Sequence, residues 1–360
     1  MKRRNFIQTA GAFVAAAAAC PALSLFAAEK KVATAAHLPR WRGFNLTQKC
    51  VKRRDGNQPF QESEFALLSE WGFDFARLPL SYLFWTDPAD WLKPQEEGLK
   101  EIDTGVDFGR KHHIHVNLNL HRAPGYCVNP PKEALDLWTD EKALDACAYH
   151  WAQFAKRYKG IPNDQLSFDL LNEPANISEE AYVRVVKRLV QAIRAEDERR
   201  LIIADGIRWG RDPVHGLAEL GIGQSTRGYD PMELTHYQAN WVHGSDKWPE
   251  PSWPLKKGEK AEVNKETISK ERIQPWKELE KKGVGIHVGE WGSFNHTPHK
   301  VVMAWMRDRL DLWKEAGWGW ALWNLKGGFG VLDSQRADVA YEDFRGHKLD
   351  REMLTLLQNG

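Results

Sequence analysis

The sequence predicts an α/β protein with a single domain, a (β/α)8 barrel of the TIM-barrel type. One observation is the composition of the 360-residue chain, in which 28% of residues are charged and 42% hydrophobic, as in globular proteins. Another is the alternation of short apolar segments with longer helical patterns, which is typical of parallel strands joined by crossover helices. The length suits eight such units, and no Gly-rich phosphate loop follows the first strand. These observations favour a closed barrel over an open doubly wound sheet.

Each predicted strand is a short apolar run, and each is followed by a segment with helical periodicity. The strands are expected at 42–46, 73–80, 114–120, 166–172, 201–205, 232–237, 285–291 and 319–325. The helices are expected at 61–71, 96–112, 140–158, 178–197, 214–221, 267–282, 299–316 and 346–358. Ser178 is a suitable N-cap, and Glu179 and Glu180 place negative charge in the first turn of their helix.

The fourth strand ends on Asn172 and Glu173, directly before Pro174. Proline cannot donate to the sheet and disfavours helix in the residue before it, so the strand has to end at Glu173. Reactive groups in such a barrel come from the C-terminal ends of different strands. The polar or aromatic residues expected at these ends are Arg77, His121, Asn172, Glu173, His236, Tyr237, Glu290 and Trp323.

Two of these residues, Glu173 and Glu290, form a pair of carboxylates that the barrel brings to one cleft. Cleavage of a glycosidic bond needs such a pair, because one acid protonates the leaving oxygen while the other attacks the anomeric carbon. Arg77 is the cation expected to keep the attacking carboxylate ionised. The alternative is structural ion pairing for either glutamate. For direct attack the two carboxyl groups must lie about 5 Å apart.

Four segments taken together resemble one enzyme family. FARLP, LSFDLLNEP, GIHVGEWG and ALWNLKGGFGVLDS occur in this order within residues 40–358 and are similar to glycoside hydrolase family 5, the cellulase-like retaining enzymes. The resemblance implies that Glu173 is the acid/base and Glu290 the nucleophile. It also implies that Asn172 bonds to the sugar 2-hydroxyl.

The same resemblance implies supporting roles for three further residues. Arg77 would hold the nucleophile ionised, His121 would contact the sugar at the cleavage point, and Trp323 would stack against a pyranose ring. One position departs from the family pattern, which has His-x-Tyr at the end of strand six, whereas His236 and Tyr237 are adjacent here. Adjacent strand residues face opposite sides, so both can face the cleft only if the strand has ended or bulged.

We assign Tyr237 to a hydrogen bond with the nucleophile and His236 to the surroundings of the acid/base, with a neutral core histidine as the alternative for His236. No metal site is expected. The histidines of KHHIHVNLNLH do not share one strand face, and the proposed chemistry needs neither a metal nor another cofactor.

Tryptophan is unusually frequent, with 17 copies, and a Pro- and Trp-rich loop is expected at 238–266. Tryptophan offers a flat apolar face with a polar handle, which suits a surface that binds sugars. The tryptophans expected at the mouth of the barrel are Trp85, Trp209, Trp241, Trp248, Trp253 and Trp291, of which Trp291 follows the nucleophile directly.

Residues 1–35 are predicted to be a twin-arginine export signal, and 36–360 the catalytic domain. A basic start with Arg3-Arg4 precedes an apolar run and a small-residue end. Ala33-Thr34-Ala35 is a candidate cleavage site, although the sequence leaves Ala22 and Ala28 open. The protein is thus expected in the periplasm or outside the cell, with no membrane span in the mature chain. An ordinary secretory signal or an uncleaved anchor is the alternative.

The cysteines leave two questions open. Cys20 could accept a lipid, and Cys50 and Cys127 are the candidates for a disulfide, whereas Cys147 lies in a helical pattern and is expected in the core. The net charge of +1 gives no support for a nucleic-acid partner. The sequence does not indicate an oligomeric state.

These observations together predict an exported retaining β-glycosidase that acts on β-linked glucan, with endo-β-1,4-glucanase as the favoured activity. The alternatives in the same fold are a β-mannanase and an exo-acting β-glycosidase. A carbohydrate-binding barrel without catalysis and an envelope lipoprotein attached through Cys20 are alternatives from other classes.

Overall fold

The computed structural model describes residues 33–52, 58–87, 89–257 and 261–360. In this part of the chain eight parallel strands close into a barrel in the order β1-β8-β7-β6-β5-β4-β3-β2. The strands are β1 (Arg42–Asn45), β2 (Phe75–Ser81), β3 (His115–Arg122), β4 (Leu166–Asp169), β5 (Ile202–Asp205), β6 (Gly223–Gly228), β7 (Ile286–Trp291) and β8 (Gly319–Leu322). The predicted (β/α)8 barrel is confirmed.

Helices connect the strands and cover the outside of the barrel. They are α1 (Glu62–Glu70), α2 (Glu96–Lys111), α3 (Glu141–Arg157), α4 (Glu179–Glu196), the 3-10 helix α5 (His215–Leu220), α6 (Gln274–Glu280), α7 (His299–Ala316) and α8 (Arg351–Asn359). The segments Lys265–Ile268 and Ser269–Ile273, the latter a π turn, lead directly into α6. Ser178 accepts a hydrogen bond from the backbone N–H of Ala181, so it caps α4 as predicted.

The prediction of the sixth strand at 232–237 is wrong. The strand is Gly223–Gly228, and Met232–Thr235 forms a short helix instead. All six residues of β6 are buried although the sequence GQSTRG is polar. Their polar groups are satisfied internally; the Gln224 side chain, for example, bonds to both the N–H and the C=O of Val214. A buried strand without apolar side chains gives no hydrophobic periodicity, which is why it was missed.

The N-terminal end of the barrel is closed by residues that precede β1. Ala33 is buried there in an apolar cluster with Leu38 and Trp41, and the carbonyl of Ala35 accepts a hydrogen bond of 2.7 Å from the N–H of Gly285. The described fold therefore includes residues 33–35, ahead of the boundary predicted at residue 36. The remainder of the predicted export signal, with Cys20, lies outside the described residues.

Two short hairpins form separate sheets outside the barrel. Leu255–Lys257 pairs with Ala261–Val263 inside the predicted loop 238–266, and Glu342–Phe344 pairs with His347–Leu349 just before α8. Within the four described ranges no helix is both long and apolar enough to cross a bilayer.

The three cysteines of the described chain are free thiols. Cys50 and Cys147 are buried and Cys127 is half-buried. The disulfide that the sequence left open between Cys50 and Cys127 is therefore not formed in this structure.

Candidate active site

Five of the residues predicted at strand ends line one cavity of about 660 Å³ at the C-terminal end of the barrel. They are His121 on β3, Glu173 after β4, Glu290 on β7, Trp323 after β8, and His236, which follows the short helix after β6. This edge is where a parallel barrel collects polar groups, because the strand ends meet there while their lower parts pack into the core.

Arg77 on β2 lies directly behind Glu290 and is fully buried. Its Nη1 donates to Glu290 Oε1 at 2.5 Å and to Asn45 Oδ1 at 3.1 Å, and its Nε donates to Asp169 Oδ2 at 2.8 Å. The structure thus places Arg77 against the expected nucleophile. A buried guanidinium at this distance favours the ionised form of the carboxylate.

A second buried arginine, Arg227 on β6, lies behind Glu173. Its Nε donates to Glu173 Oε1 at 3.0 Å, and its Nη2 lies 3.5 Å from Glu290 Oε1. Both terminal nitrogens also bond to the carboxylate of Asp205 at the end of β5. Neither Arg227 nor Asp205 was among the predicted site residues. Arg227 was missed because the sixth strand was placed at 232–237, whereas Asp205 ends a correctly placed strand whose sequence does not show that its carboxylate pairs with Arg227. The spacing Arg227-x-Tyr229, ahead of an Asp-Pro pair, was the available signal.

Asn172 joins the two arginines. Its Oδ1 accepts from Arg77 Nη2 at 3.0 Å and from Arg227 Nη2 at 3.1 Å. Because both lone pairs of the carbonyl are used, the amide orientation is fixed. Its Nδ2 has no hydrogen-bond partner among the described residues although it is buried. The side chain is therefore held with a free donor.

Glu173 is held through its main chain as well as its side chain. It has φ of +50°, a left-handed conformation that a non-glycine residue adopts only where its surroundings impose it. The backbone N–H donates to Asp205 Oδ2 at 2.8 Å, and the backbone carbonyl accepts from the Tyr126 hydroxyl at 2.7 Å. Burial and the negative charge of Glu290 raise the pKa of Glu173 to about 8, against the opposing effect of Arg227. This carboxyl group is suited to hold a proton at neutral pH.

Glu290 receives its second hydrogen bond from Tyr229, not from Tyr237. The Tyr229 hydroxyl donates to Glu290 Oε2 at 3.2 Å. The hydroxyl of Tyr237 instead accepts from Gln238 Nε2 at 3.0 Å. The assignment of Tyr237 to the nucleophile is therefore wrong, for the same reason that the sixth strand was misplaced.

His236 lines the cavity but does not bond to the acid/base. Its Nδ1 lies 2.9 Å from Thr235 Oγ1, and its ring packs edge-on against Tyr229 and Trp241. Burial lowers the pKa of His236 to about 4, so the ring is neutral. The place beside Glu173 that was assigned to His236 is occupied by Arg227.

His121 and Trp323 form one wall of the cavity, with their rings stacked at 5.6 Å between centroids. Burial and the neighbouring arginines lower the pKa of His121 to about 3, so it also stays neutral. A neutral imidazole can still donate or accept a hydrogen bond with a bound hydroxyl.

The outer part of the cavity is aromatic. Trp209, Trp241 and Trp248 line it, as predicted for the mouth tryptophans, and Trp241 packs edge-on against Phe294. The exposed fractions of Trp209 and Trp241 are 40% and 56%, unusually large for tryptophan. These two rings are available for stacking.

Trp291 does not belong to this wall, so its assignment to the substrate site is wrong. It is completely buried on the outside of β7, where its ring packs against Trp305, Trp313 and Trp320. Since Glu290 points into the barrel mouth, the next residue of the strand points to the opposite face. The other predicted mouth residues, Trp85 and Trp253, are respectively buried and hydrogen-bonded to Asp308.

A second cavity of about 600 Å³ lies beside the first, and both are lined by Trp323. Its lining is mainly polar and includes Gln48, Glu64 and Lys326. Glu64 is buried, accepts from Gln48 Nε2 at 2.5 Å and pairs with Lys326 Nζ at 3.0 Å. A polar and an aromatic cavity thus meet at one tryptophan.

Among the described residues no group of three or more histidine, cysteine, aspartate or glutamate side chains is arranged to hold a metal ion. The arrangement at the barrel mouth can supply one carboxyl group whose pKa is raised to about 8, a second one that is paired with a buried arginine, and fixed donors around them. These are the groups that acid-assisted nucleophilic displacement at an acetal carbon requires.

Comparison with known proteins agrees with this chemistry. The family described as Cellulase (glycosyl hydrolase family 5) matches residues 28–328. Endoglucanase C of Acetivibrio thermocellus is 25% identical over 306 residues, which cover 78% of this chain and 88% of the endoglucanase. Cellodextrinase A of Ruminococcus flavefaciens is 22% identical and covers 74% of this chain and 80% of its own. A crystal structure of a glycoside hydrolase has a TM-score of 0.85 and 42% identity, and covers 89% of this chain and 99% of that one.

Proposed function

Since the chain belongs to glycosyl hydrolase family 5, the cellulase family, we propose that it is an endo-β-1,4-glucanase that cleaves β-linked glucan with retention of configuration. The glycoside hydrolase class follows from the family, and the name of the relative endoglucanase C supports the glucan substrate. The observation that carries the mechanism is that Glu173 and Glu290 line one cavity and contact the same guanidinium, that of Arg227.

In the first step Glu290 attacks the anomeric carbon and Glu173 protonates the departing glycosidic oxygen. One carbon–oxygen bond forms to Glu290 as the glycosidic bond breaks, and the proton leaves Glu173 with the aglycone. The free Nδ2 of Asn172 is the donor for the sugar 2-hydroxyl, a contact that strengthens as positive charge develops on the ring.

In the second step a water molecule gives a proton to Glu173 while its oxygen bonds to the anomeric carbon. The ester bond to Glu290 breaks, and the carboxylate is restored. Two inversions at the same carbon give net retention. The mechanism uses groups of the protein and water alone.

The two cavities that meet at Trp323 suit the two sides of the cleaved bond. We assign the polar cavity, whose Glu64 and Lys326 can bind hydroxyl groups, to sugar units on the non-reducing side. The aromatic wall with Trp209 and Trp241 suits the sugar units that leave, since pyranose faces stack on indole rings.

Products from cello-, manno-, xylo- and laminari-oligosaccharides test this function. We expect internal cleavage of cello-oligosaccharides, with slower or no turnover of the other series. Preferred cleavage of manno-oligosaccharides would replace the glucanase assignment with a β-mannanase, and release of one terminal unit at a time would indicate exo action. Binding without any turnover would indicate a carbohydrate-binding barrel.

We also propose that the protein is exported, because residues 1–35 combine a twin-arginine pair with an apolar run. Ala33 and Ala35 contribute to the closed end of the barrel, which favours cleavage upstream of them, at Ala22 or Ala28. N-terminal sequencing of the protein recovered from the periplasm or medium tests both points. A mature protein that starts at residue 36, or one retained inside the cell, would contradict them.

A further inference from the structure

Arg227 contacts three carboxylates with one guanidinium group. Its Nε donates to Glu173 Oε1 at 3.0 Å, its Nη1 donates to Asp205 Oδ1 at 2.9 Å, and its Nη2 lies 3.5 Å from Glu290 Oε1. The Arg227 side chain is 2% exposed, so water and salt screen these contacts little. The charge of Arg227 therefore acts on both glutamates.

The hydrogen bond from Nε determines where Glu173 carries its proton. Nε has one hydrogen, and arginine has no acceptor to take a proton in return. Oε1 of Glu173 is therefore an acceptor in both protonation states. The proton that is transferred during the reaction then sits on Oε2.

Asp205 fixes Arg227 relative to the main chain of Glu173. Its carboxylate accepts from two nitrogens of Arg227 and from the backbone N–H of Glu173. Because Glu173 has a left-handed backbone conformation, its direction depends on these contacts. Asp205 thus fixes both the backbone conformation of Glu173 and the position of the guanidinium group that holds its side chain.

We propose that Arg227 is a positioning residue that couples the two reaction steps: it fixes the carboxyl group of Glu173 and favours its conversion from acid to base once Glu290 is esterified. This inference rests on the proposed function. In the free enzyme the charge of Arg227 is shared between the two glutamates, and the negative charge of Glu290 favours protonated Glu173. In the glycosyl-enzyme that negative charge is gone, so the guanidinium stabilises the carboxylate of Glu173, which has just lost its proton.

Arg227 assists hydrolysis of the glycosyl-enzyme, in which one bond forms at the anomeric carbon and one breaks. The water oxygen forms a bond to the anomeric carbon, and the water proton goes to Glu173 Oε2. The bond from that carbon to Glu290 breaks, and its electron pair returns to the Glu290 carboxylate. Arg227 keeps its own protons throughout.

The other ionisable groups around Glu173 come from every strand end packed against it. They are Arg77 on β2, His121 on β3, Asp169 on β4, Asp205 on β5, Tyr229 after β6 and Glu290 on β7. Tyr126 and Cys127 face it from the loop after β3, and Cys50 from the loop after β1. Burial raises the pKa of these tyrosines and thiols and lowers that of His121, so all of them stay neutral. Burial and the charge of Asp205 raise the pKa of Asp169 to about 7, so this carboxyl group adds its own titration to the pH profile. Glu290 is the neighbouring group whose charge is removed by the reaction itself, when the ester forms.

The alternative role for Arg227 is to neutralise buried Asp205 and nothing more. Both roles predict a lower melting temperature when Arg227 is replaced. The coupling role also predicts a changed pH profile and a selective loss in the second step. A merely structural role leaves both of these unchanged in the protein that folds.

The test compares the wild type with Arg227→Met and Arg227→Lys on two aryl β-cellobiosides. With a poor leaving group, we expect the alkaline limb of kcat/KM in Arg227→Met to move up by about one pH unit, because an opposite charge beside Glu173 is lost. With a dinitrophenyl leaving group, the first step needs no acid, and we expect slow deglycosylation to appear as a burst of released phenol. Added azide should restore the rate, since it attacks without base assistance.

Arg227→Lys keeps the charge but not the guanidinium fork, so we expect a smaller shift and a smaller burst. Arg200→Met is the matched control, because Arg200 is also a buried arginine paired to an aspartate but lies at the opposite end of β4. It should lower the melting temperature without changing the pH profile or producing a burst.

A folded Arg227→Met with the alkaline limb and deglycosylation rate of the wild type would overturn the coupling role. If that variant does not fold, Arg227→Lys decides, and an unchanged deglycosylation rate would overturn the proposal. A wild type that hydrolyses no β-glycoside would instead overturn the proposed function itself, so the two failures are distinguishable.

Discussion

The floor of the active site has two halves, each built on one buried arginine that holds one glutamate. Arg77 holds Glu290 and Arg227 holds Glu173, and the amide oxygen of Asn172 accepts from both arginines. Each arginine also pairs with a buried aspartate. The halves are alike in composition, so the difference between the two glutamates must come from their hydrogen bonds and exposure.

The half with Glu290, the proposed nucleophile, is closed, and the half with Glu173, the proposed acid, is partly open. Glu290 receives hydrogen bonds on both oxygens, from Arg77 and Tyr229, and its side chain is 5% exposed. Glu173 receives a side-chain hydrogen bond on Oε1, and its side chain is 16% exposed. Donors on both oxygens favour a charged carboxylate, whereas an oxygen without a donor can carry a proton. The same residue type thus takes two roles because of its surroundings.

The largest expected effect comes from replacing the carboxyl group of each glutamate in turn by an amide. Glu290→Gln should lower kcat at least about 10⁴-fold on every substrate, because the nucleophile is lost. Glu173→Gln should lower kcat/KM about 10²- to 10⁴-fold with a poor leaving group but much less with dinitrophenolate, which leaves without a proton. Steady-state kinetics with the two leaving groups measure this. If each variant lost the same activity on both substrates, the two glutamates would not have the different roles assigned to them.

A smaller effect is expected from Tyr229→Phe, which opens the closed half. Hydrogen bonds to charged groups contribute about 1.5–3 kcal/mol, so kcat should fall roughly 10- to 100-fold with the barrel intact. Tyr237→Phe is the matched control and should stay within about twofold of the wild type, since its hydroxyl bonds to Gln238. A larger loss in Tyr237→Phe than in Tyr229→Phe would restore the assignment that the structure contradicts.

The pH profile of the wild-type enzyme tests the difference between the two glutamates without any substitution. The pKa of Glu173 is raised to about 8 by burial and by Glu290, and the acid must be protonated to act. Activity on a poor leaving group should therefore persist through neutral pH and fall as the pH rises through that value. His121 and His236, whose pKa values are lowered to about 3 and about 4, should add no limb between pH 6 and 7. An alkaline limb near pH 5 would contradict the assignment of the acid.

The two halves also differ in how far the sequence predicts them. Arg77 lies in a mostly apolar strand, and Glu173 and Glu290 lie at the ends of two further apolar strands, so the barrel fold alone predicted that the three residues meet. Arg227 lies in β6, whose buried groups are polar and satisfied by each other, so no periodicity marks it.

The same misplacement moved the expected tyrosine from Tyr229 to Tyr237. Trp291 was misjudged for another reason, since its neighbour Glu290 faces the cleft and strand alternation then turns Trp291 toward the helices. Which buried polar groups find partners depends on contacts between distant segments, such as Asp205 with Arg227, and a single sequence does not contain them.

Covalent trapping tests the division of roles between the two glutamates most directly. A 2-deoxy-2-fluoro-β-cellobiosyl fluoride forms the glycosyl-enzyme but slows its hydrolysis, so the sugar stays on the nucleophile. We predict one added sugar per chain, located by peptide mass spectrometry on Glu290. A label on Glu173, or an untouched protein that releases α-configured product, would contradict the account.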